Sequence, residues 1–90
     1  MTIYIAVAPL HWRWGTSVDQ AIERATNKFD RVMFQEKNQN VPINLYLFNK
    51  EMDDLSKKRW LLSEDCTFLG LYRAFPQSDR WEWTKIHMTN

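Results

Sequence analysis

From Val18 onward, apolar side chains recur at the spacing of one helix face: Val18, Ala21, Ile22, Ala25, Phe29, Val32 and Met33. The opposite face carries Asp19, Glu23, Arg24, Asn27, Lys28 and Arg31. A helix with one apolar stripe must lay that stripe against another layer, so the rest of the chain has to supply one. Ser17, with Gln20 three residues later, has the form of a capping box. "KNQN" at 37–40 ends the pattern. The spacing predicts one long amphipathic helix over Val18–Glu36. Phe34 falls off its stripe, pointing nearly opposite Val18 and Ile22. It is expected either to be covered by another segment or to be exposed.

The second layer reads as β-sheet. "TIYIAVA" (Thr2–Ala8) alternates, with Ile3, Ile5 and Val7 on one face and Tyr4, Ala6 and Ala8 on the other. Both faces are apolar, which predicts an interior strand covered on two sides, ended by Pro9. "VPINLYLFN" (Val41–Asn49) is a second strand, with Asn44, Tyr46 and Phe48 sharing a face. With the helix between them, the two strands could form a β-α-β unit, parallel if the helix crosses over. Residues 51–62 suit a short helix, acidic early and basic late, or a loop followed by the strand "RWLLS". "CTFLGLYRAF" (Cys66–Phe75) and "RWEWTKIHM" (Arg80–Met88) flank the turn "PQSD" and predict an antiparallel hairpin. Gly70 marks a bulge or a close approach of backbone. In the first of these strands Leu69, Leu71 and Phe75 are assigned to one face, Phe68 and Tyr72 to the other. The expectation is therefore a single α+β domain spanning residues 1–90. It is a small sandwich in the order β-α-β-(α)-β-β, with the long helix on one face of a mixed or antiparallel sheet.

Composition narrows the function classes. Twelve basic against eleven acidic residues leave a net charge of +1, which is no general footprint for duplex nucleic acid. A single cysteine, Cys66, cannot form an internal disulfide and fits a reducing compartment. The apolar N-terminus is far shorter than the roughly 20 residues that span a bilayer and has no basic leader. A cytoplasmic protein with no membrane contact is expected.

Catalytic chemistry finds little purchase. A nucleophile needs a base in hydrogen-bond reach and a third group to orient it. Ser17 and Cys66 are the candidate nucleophiles and His11 and His87 the candidate bases, with no local signature linking any pair. Two glycines cannot build a phosphate-cradling loop. One Cys and two widely spaced His fall short of a zinc ligand set. No enzyme activity, cofactor or metal is predicted.

What stands out is the pairing of arginine with tryptophan. "HWRWGTS" (11–17) and "RWEW" (80–83) each carry Trp at i and i+2, and the chain holds five Trp in all. On extended chain each Trp pair shares one face, with Arg13 or Glu82 on the other. Were the two segments adjacent, Arg13 and Glu82 could pair and the four rings form a ladder. Trp and Arg are also the residues that anchor binding hot spots. The main expectation is a non-enzymatic protein that binds a protein partner. Its surface combines the Pro9–Gly15 loop with "RWEW": Trp12, Trp14 and Trp81 as anchors, Arg13 and Arg80 as directed polar contacts, Phe34 as an outlying candidate. In size and class the chain matches accessory proteins of phages and mobile elements that block a host complex, so an inhibitory effect is expected. The alternative is a single-stranded nucleic-acid binder. It would stack bases on sheet aromatics such as Tyr72 and neutralise phosphates with Lys57, Lys58 and Arg59. The oligomeric state is open at this level.

Overall fold

A computed structural model describes residues 2–49 and 65–86. The elements, in chain order, are β1 (Ile3–Val7), β2 (Trp12–Gly15), α1 (Val18–Thr26), α2 (Arg31–Glu36), β3 (Val41–Phe48), β4 (Cys66–Pro76) and β5 (Trp81–Lys85). They build an α+β fold on a five-stranded sheet ordered β2-β1-β3-β4-β5, with each neighbouring pair antiparallel. Residues 51–62, for which a helix or a loop and strand were the alternatives, lie outside the described residues.

Two expectations change here. Trp12–Gly15 is strand, not loop. The chain reverses at Pro9–Leu10, where the Ala8 amide donates to the His11 carbonyl at 2.8 Å, and β2 returns beside β1. This extra reversal decides the next one. Because β2 has already turned the chain round, the crossover through the helices makes β3 parallel to β2 and hence antiparallel to β1, which lies between them; the β-α-β unit joins β2 to β3 and not β1 to β3.

The predicted helix keeps its outer ends, Val18 and Glu36, and breaks in the middle into two short helices. Ser17 caps α1 as expected, its Oγ accepting from the Gln20 amide at 3.1 Å. The Gln20 side chain reaches back one residue further than a capping box requires and accepts from Thr16 N at 2.7 Å. The break comes at Asp30, whose carboxylate accepts from the Met33 amide at 3.1 Å and starts α2. A short acidic side chain that bonds nearby backbone offers the chain an alternative to a continuing helix. The restart changes the helix's phase. Val32 and Met33 turn to solvent, 54% and 40% exposed, and Phe34 turns inward. α2 ends in a Schellman arrangement: Asn38 is left-handed at φ 55, its amide donates to Gln35 O, and Gln39 N donates to Phe34 O.

The sheet buries apolar side chains on both faces. On the face that carries α1, Ala6, Ala8, Val41, Ile43, Leu45, Ala74 and Trp81 pack with Ala21, Ile22 and Ala25. Gly15 lets the helix approach, for a Cβ there would stand 2.6 Å from Ala21 N. On the other face Ile3, Ile5 and Phe48 are buried, with Val7, Trp12, Trp14, Tyr46 and Cys66 around them. β1 is thus buried on two sides, as its sequence requires. The β3–β4 ladder shifts register between Leu45 and Tyr46: Leu45 faces Gly70 and Tyr46 faces Phe68, which leaves Leu69 as an extra residue. The bulge flips the alternation of β4. Phe68 therefore shares the second face with Leu71, Arg73 and Phe75, and Tyr72 lies on the helix face. Strict alternation would have placed Phe68 and Tyr72 together.

Candidate functional site

The two Trp-x-Trp segments lie at opposite edges of the sheet and on opposite faces. Trp12 and Trp14 stand across from Val7 and Ile5, which puts both rings on the face away from α1. Trp81 and Trp83 stand across from Pro76 and Ala74, which puts them on the helix face. Three strands separate Arg13 from Glu82, so the anticipated pair and four-ring ladder do not form. Glu82 instead accepts from Arg80 at 2.6 Å, and Arg80 also holds Asp79 at 3.0 Å. The hydrogen bond to Glu82, with the charge of Asp79 close by, raises the Arg80 pKa above its ordinary value. The composite surface expected from Pro9–Gly15 and "RWEW" is therefore two separate surfaces.

The hairpin surface is built around the β1–β2 reversal. Leu10, at the turn, is 88% exposed. Beside it a cavity of about 480 Å³ is lined by Leu10, His11, Trp12, Arg13 and Trp14. Trp12 and Trp14 are both half-buried. The ring of Trp14 carries the Arg24 guanidinium 5.3 Å from its centroid, a cation–π distance, and the same guanidinium donates to Trp14 O at 2.9 Å. Arg13 donates to Trp12 O at 2.7 Å. Two arginines thus occupy the outward backbone carbonyls of Trp12 and Trp14, and Arg24 also lies against the Trp14 ring.

The β5 surface is more enclosed. Trp81 is buried, and Trp83 is half-buried with its indole N–H on Asp19 Oδ1 at 3.1 Å. A cleft of about 510 Å³ opens between the end of α1 and β5, walled by Glu23, Asn27, Phe29, Arg31, Asp79 and the two tryptophans. Phe34, the outlying candidate, is a packing residue. Its ring stands 5.8 Å from that of Trp81 and 5.3 Å from that of Phe29, edge-on in each case. Phe29 in turn lies 5.2 Å from His11. The row His11–Phe29–Phe34–Trp81 joins the two edges of the sheet under the helices, and nothing in the spacing of these four residues announces it. His11 is locked in this row: its Nε2 lies 2.8 Å from Ala25 O, and since a carbonyl only accepts, Nε2 carries the proton.

Of the groups considered for catalysis, His11 sits on the helix face and Cys66 opens β4 on the other face, paired with Phe48. The sheet stands between them, and His87 lies outside the described residues. Burial, with Asp65 nearby, pushes the Cys66 thiol above its ordinary pKa and keeps it protonated at neutral pH. Among the described residues no three His, Cys, Asp or Glu gather as a metal site, and no helix is long and apolar enough to cross a membrane. The nucleic-acid candidates do not assemble into one platform. Tyr72 packs against the helix-face core, while Tyr46 and Phe68 lie on the other face with ring centroids 5.4 Å apart. Lys57, Lys58 and Arg59 lie outside the described residues. No protein-family model, curated protein or solved structure matches the chain.

Proposed function

We propose that this chain is a binding protein that engages a protein partner through the β1–β2 hairpin, with Leu10, Trp12 and Trp14 as the apolar contacts and Arg13 at their side. The observation that carries the reading is Leu10. A leucine side chain held 88% in solvent at a hairpin turn beside a 480 Å³ cavity forgoes most of the gain its burial would bring, about 1.5–3 kcal/mol. A partner that covers it recovers that gain. The adjacent tryptophans are half-buried, and the Trp14 ring is already held against the Arg24 guanidinium, so less entropy is lost when a partner closes over them. The contact acts by occupying a surface, which agrees with an inhibitory or accessory role in a cytoplasmic complex.

The test is capture from the native host with wild-type chain and with Leu10→Asp as baits. Leu10 is almost wholly exposed, so the substitution leaves the fold and its melting temperature unchanged. A partner held by wild type and lost by Leu10→Asp supports the reading. Equal capture by both baits sinks it. A parallel titration with a random single-stranded oligonucleotide covers the nucleic-acid alternative: quenching of Trp fluorescence that weakens steeply with salt would favour that alternative over the protein partner.

A further inference from the structure

The two edges of the sheet are not equivalent. On β2 the outward carbonyls of Trp12 and Trp14 are occupied by Arg13 and Arg24. On β5 the Ile86 amide donates to Leu71 O at 2.8 Å, and Arg80 O accepts from Gln77 N at 2.7 Å, so the even-numbered residues face β4. Strand alternation then turns the N–H and C=O of Trp81, Trp83 and Lys85 outward. Among the described residues none of these outward groups meets a partner, and β5 closes the strand order.

We propose that this edge pairs antiparallel with β5 of a second copy of the chain, about a two-fold axis at Trp83, to give one sheet continuous across both copies. The register supports this occupant. With the axis at Trp83, that residue faces its own counterpart, and Trp81 faces Lys85 of the second copy. The three residues with outward backbone groups thereby pair only with one another. Residues directly opposite in an antiparallel pair share a face, so these contacts form on the helix face, and Glu82 meets Thr84 on the other. No like charges stand opposite. Charge adds to the fit once the flexible Lys85 side chain, which lies over Gly70 of its own copy, turns outward: neither Glu23 nor Lys85 has an opposite charge beside it among the described residues, the two-fold brings Lys85 of one copy opposite Trp81 of the other, and Trp81 and Glu23 line one cleft. On the β2 edge the outward carbonyls of Trp12 and Trp14 already have arginine donors, which disfavours strand addition there, and the two-fold contact uses up the β5 edges of both copies, so assembly closes at two.

Sedimentation equilibrium of the full chain over a range of concentrations tests this, with near-ultraviolet circular dichroism to verify folding. The expected species is a reversible dimer of twice the chain mass. Lys85→Glu and Glu23→Lys each weaken it by roughly tenfold or more, and an equimolar mixture of the two variants recovers part of the loss, which only a contact between copies can do. Trp83→Pro removes an outward N–H without touching the β4 ladder; folded, it is monomeric. A chain that stays monomeric at every concentration overturns the proposal, as do a dimer constant unmoved by the charge variants and growth beyond two copies. A foreign strand on this edge, found with a chain that is monomeric alone, overturns it as well. The hairpin lies at the far edge, so Leu10→Asp leaves the dimer intact, and the two readings fail separately.

Discussion

Trp83 and Asp19 are joined by a hydrogen bond of 3.1 Å across 64 residues of chain. The indole N–H donates to the carboxylate, and with it β5, at the edge of the sheet, is tied to the first turn of α1. An isolated comparison of the two segments suggests no such link, since each residue has a sufficient local reason to be where it is. Asp19 suits a helix N-terminus and Trp83 suits a strand.

The bond is expected to show as coupling. Asp19→Ala loses both the acceptor and the favourable charge at the helix start, and should cost about 1–2 kcal/mol given how exposed the pair is. Trp83→Phe keeps an aromatic ring while removing the donor and part of the packing area, and the double-mutant cycle separates the bond from the packing. In a urea double-mutant cycle the two changes together should cost about 1 kcal/mol less than their sum. Strict additivity would show that the bond contributes nothing in solution.

Gly15 and Gly70 are predicted to fail differently. A methyl at Gly15 meets the Ala21 backbone nitrogen at 2.6 Å, and the helix must move away from β2. Gly15→Ala should therefore cost about 2 kcal/mol or more through overpacking. At Gly70 the nearest atom is Lys85 Cε at 2.7 Å, the end of a flexible side chain, but the backbone sits at φ 144. The strain there is in the dihedral. Gly70→Ala should destabilise whether or not Lys85 is first shortened to Ala. Rescue by Lys85→Ala would assign the cost to the side chain instead.

Asp30 should govern α2 and spare α1. Removing its carboxylate leaves the first amides of α2 without their cap, at a cost of about 1 kcal/mol. Hydrogen exchange of Asp30→Ala is expected to quicken over 31–36, with Ala21 and Ile22 keeping their protection. Ser17→Ala should act on α1 to a similar extent. If Asp30→Ala gave slower exchange across 27–30, one continuous helix would have formed, and the break would owe nothing to this cap.

Cys66 is expected to be a poor nucleophile. Burial and Asp65 hold its pKa above the ordinary thiol value, so the thiolate is scarcer in the fold than in the unfolded chain. The folded state keeps the proton more firmly. Its stabilising contribution is present below the unfolded thiol's pKa and is lost as pH rises through the folded one. Labelling by a thiol reagent at mildly alkaline pH should be several times slower in buffer than in denaturing urea. Equal rates would show an open and unperturbed thiol.

How much of this was legible depended on whether the deciding interaction was local. The alternation of Ile3–Val7, the Ser17 cap, the strands at Val41 and Cys66 and the turn before Arg80 are local patterns, and the structure carries each of them. The β2 strand was missed because four residues are too few to display a period, and three of them are large or charged on both faces. The helix break was hidden because Phe29, Val32 and Met33 continue the spacing of α1 even though Asp30 resets the phase. Phe34 reads as the odd residue in one long helix and is the inward one in a short second helix. The site suffered most. Two Trp-x-Trp segments look alike in sequence, but face and edge are set by strand order, which Arg13 and Glu82 do not report.

Leu69 has one more bearing on the chain. As the unpaired residue in β4, it acts as a change of parity: odd positions after it look away from the helices, and so do even positions before it. Taking that one residue out would turn Cys66 and Phe68 through half a revolution, driving an aromatic ring toward the helices and Thr67 toward the side where Ile3 and Phe48 lie. The length of this strand is therefore as much a part of the fold's specification as its composition, and a single codon lost here would rearrange more of the protein than most substitutions within it.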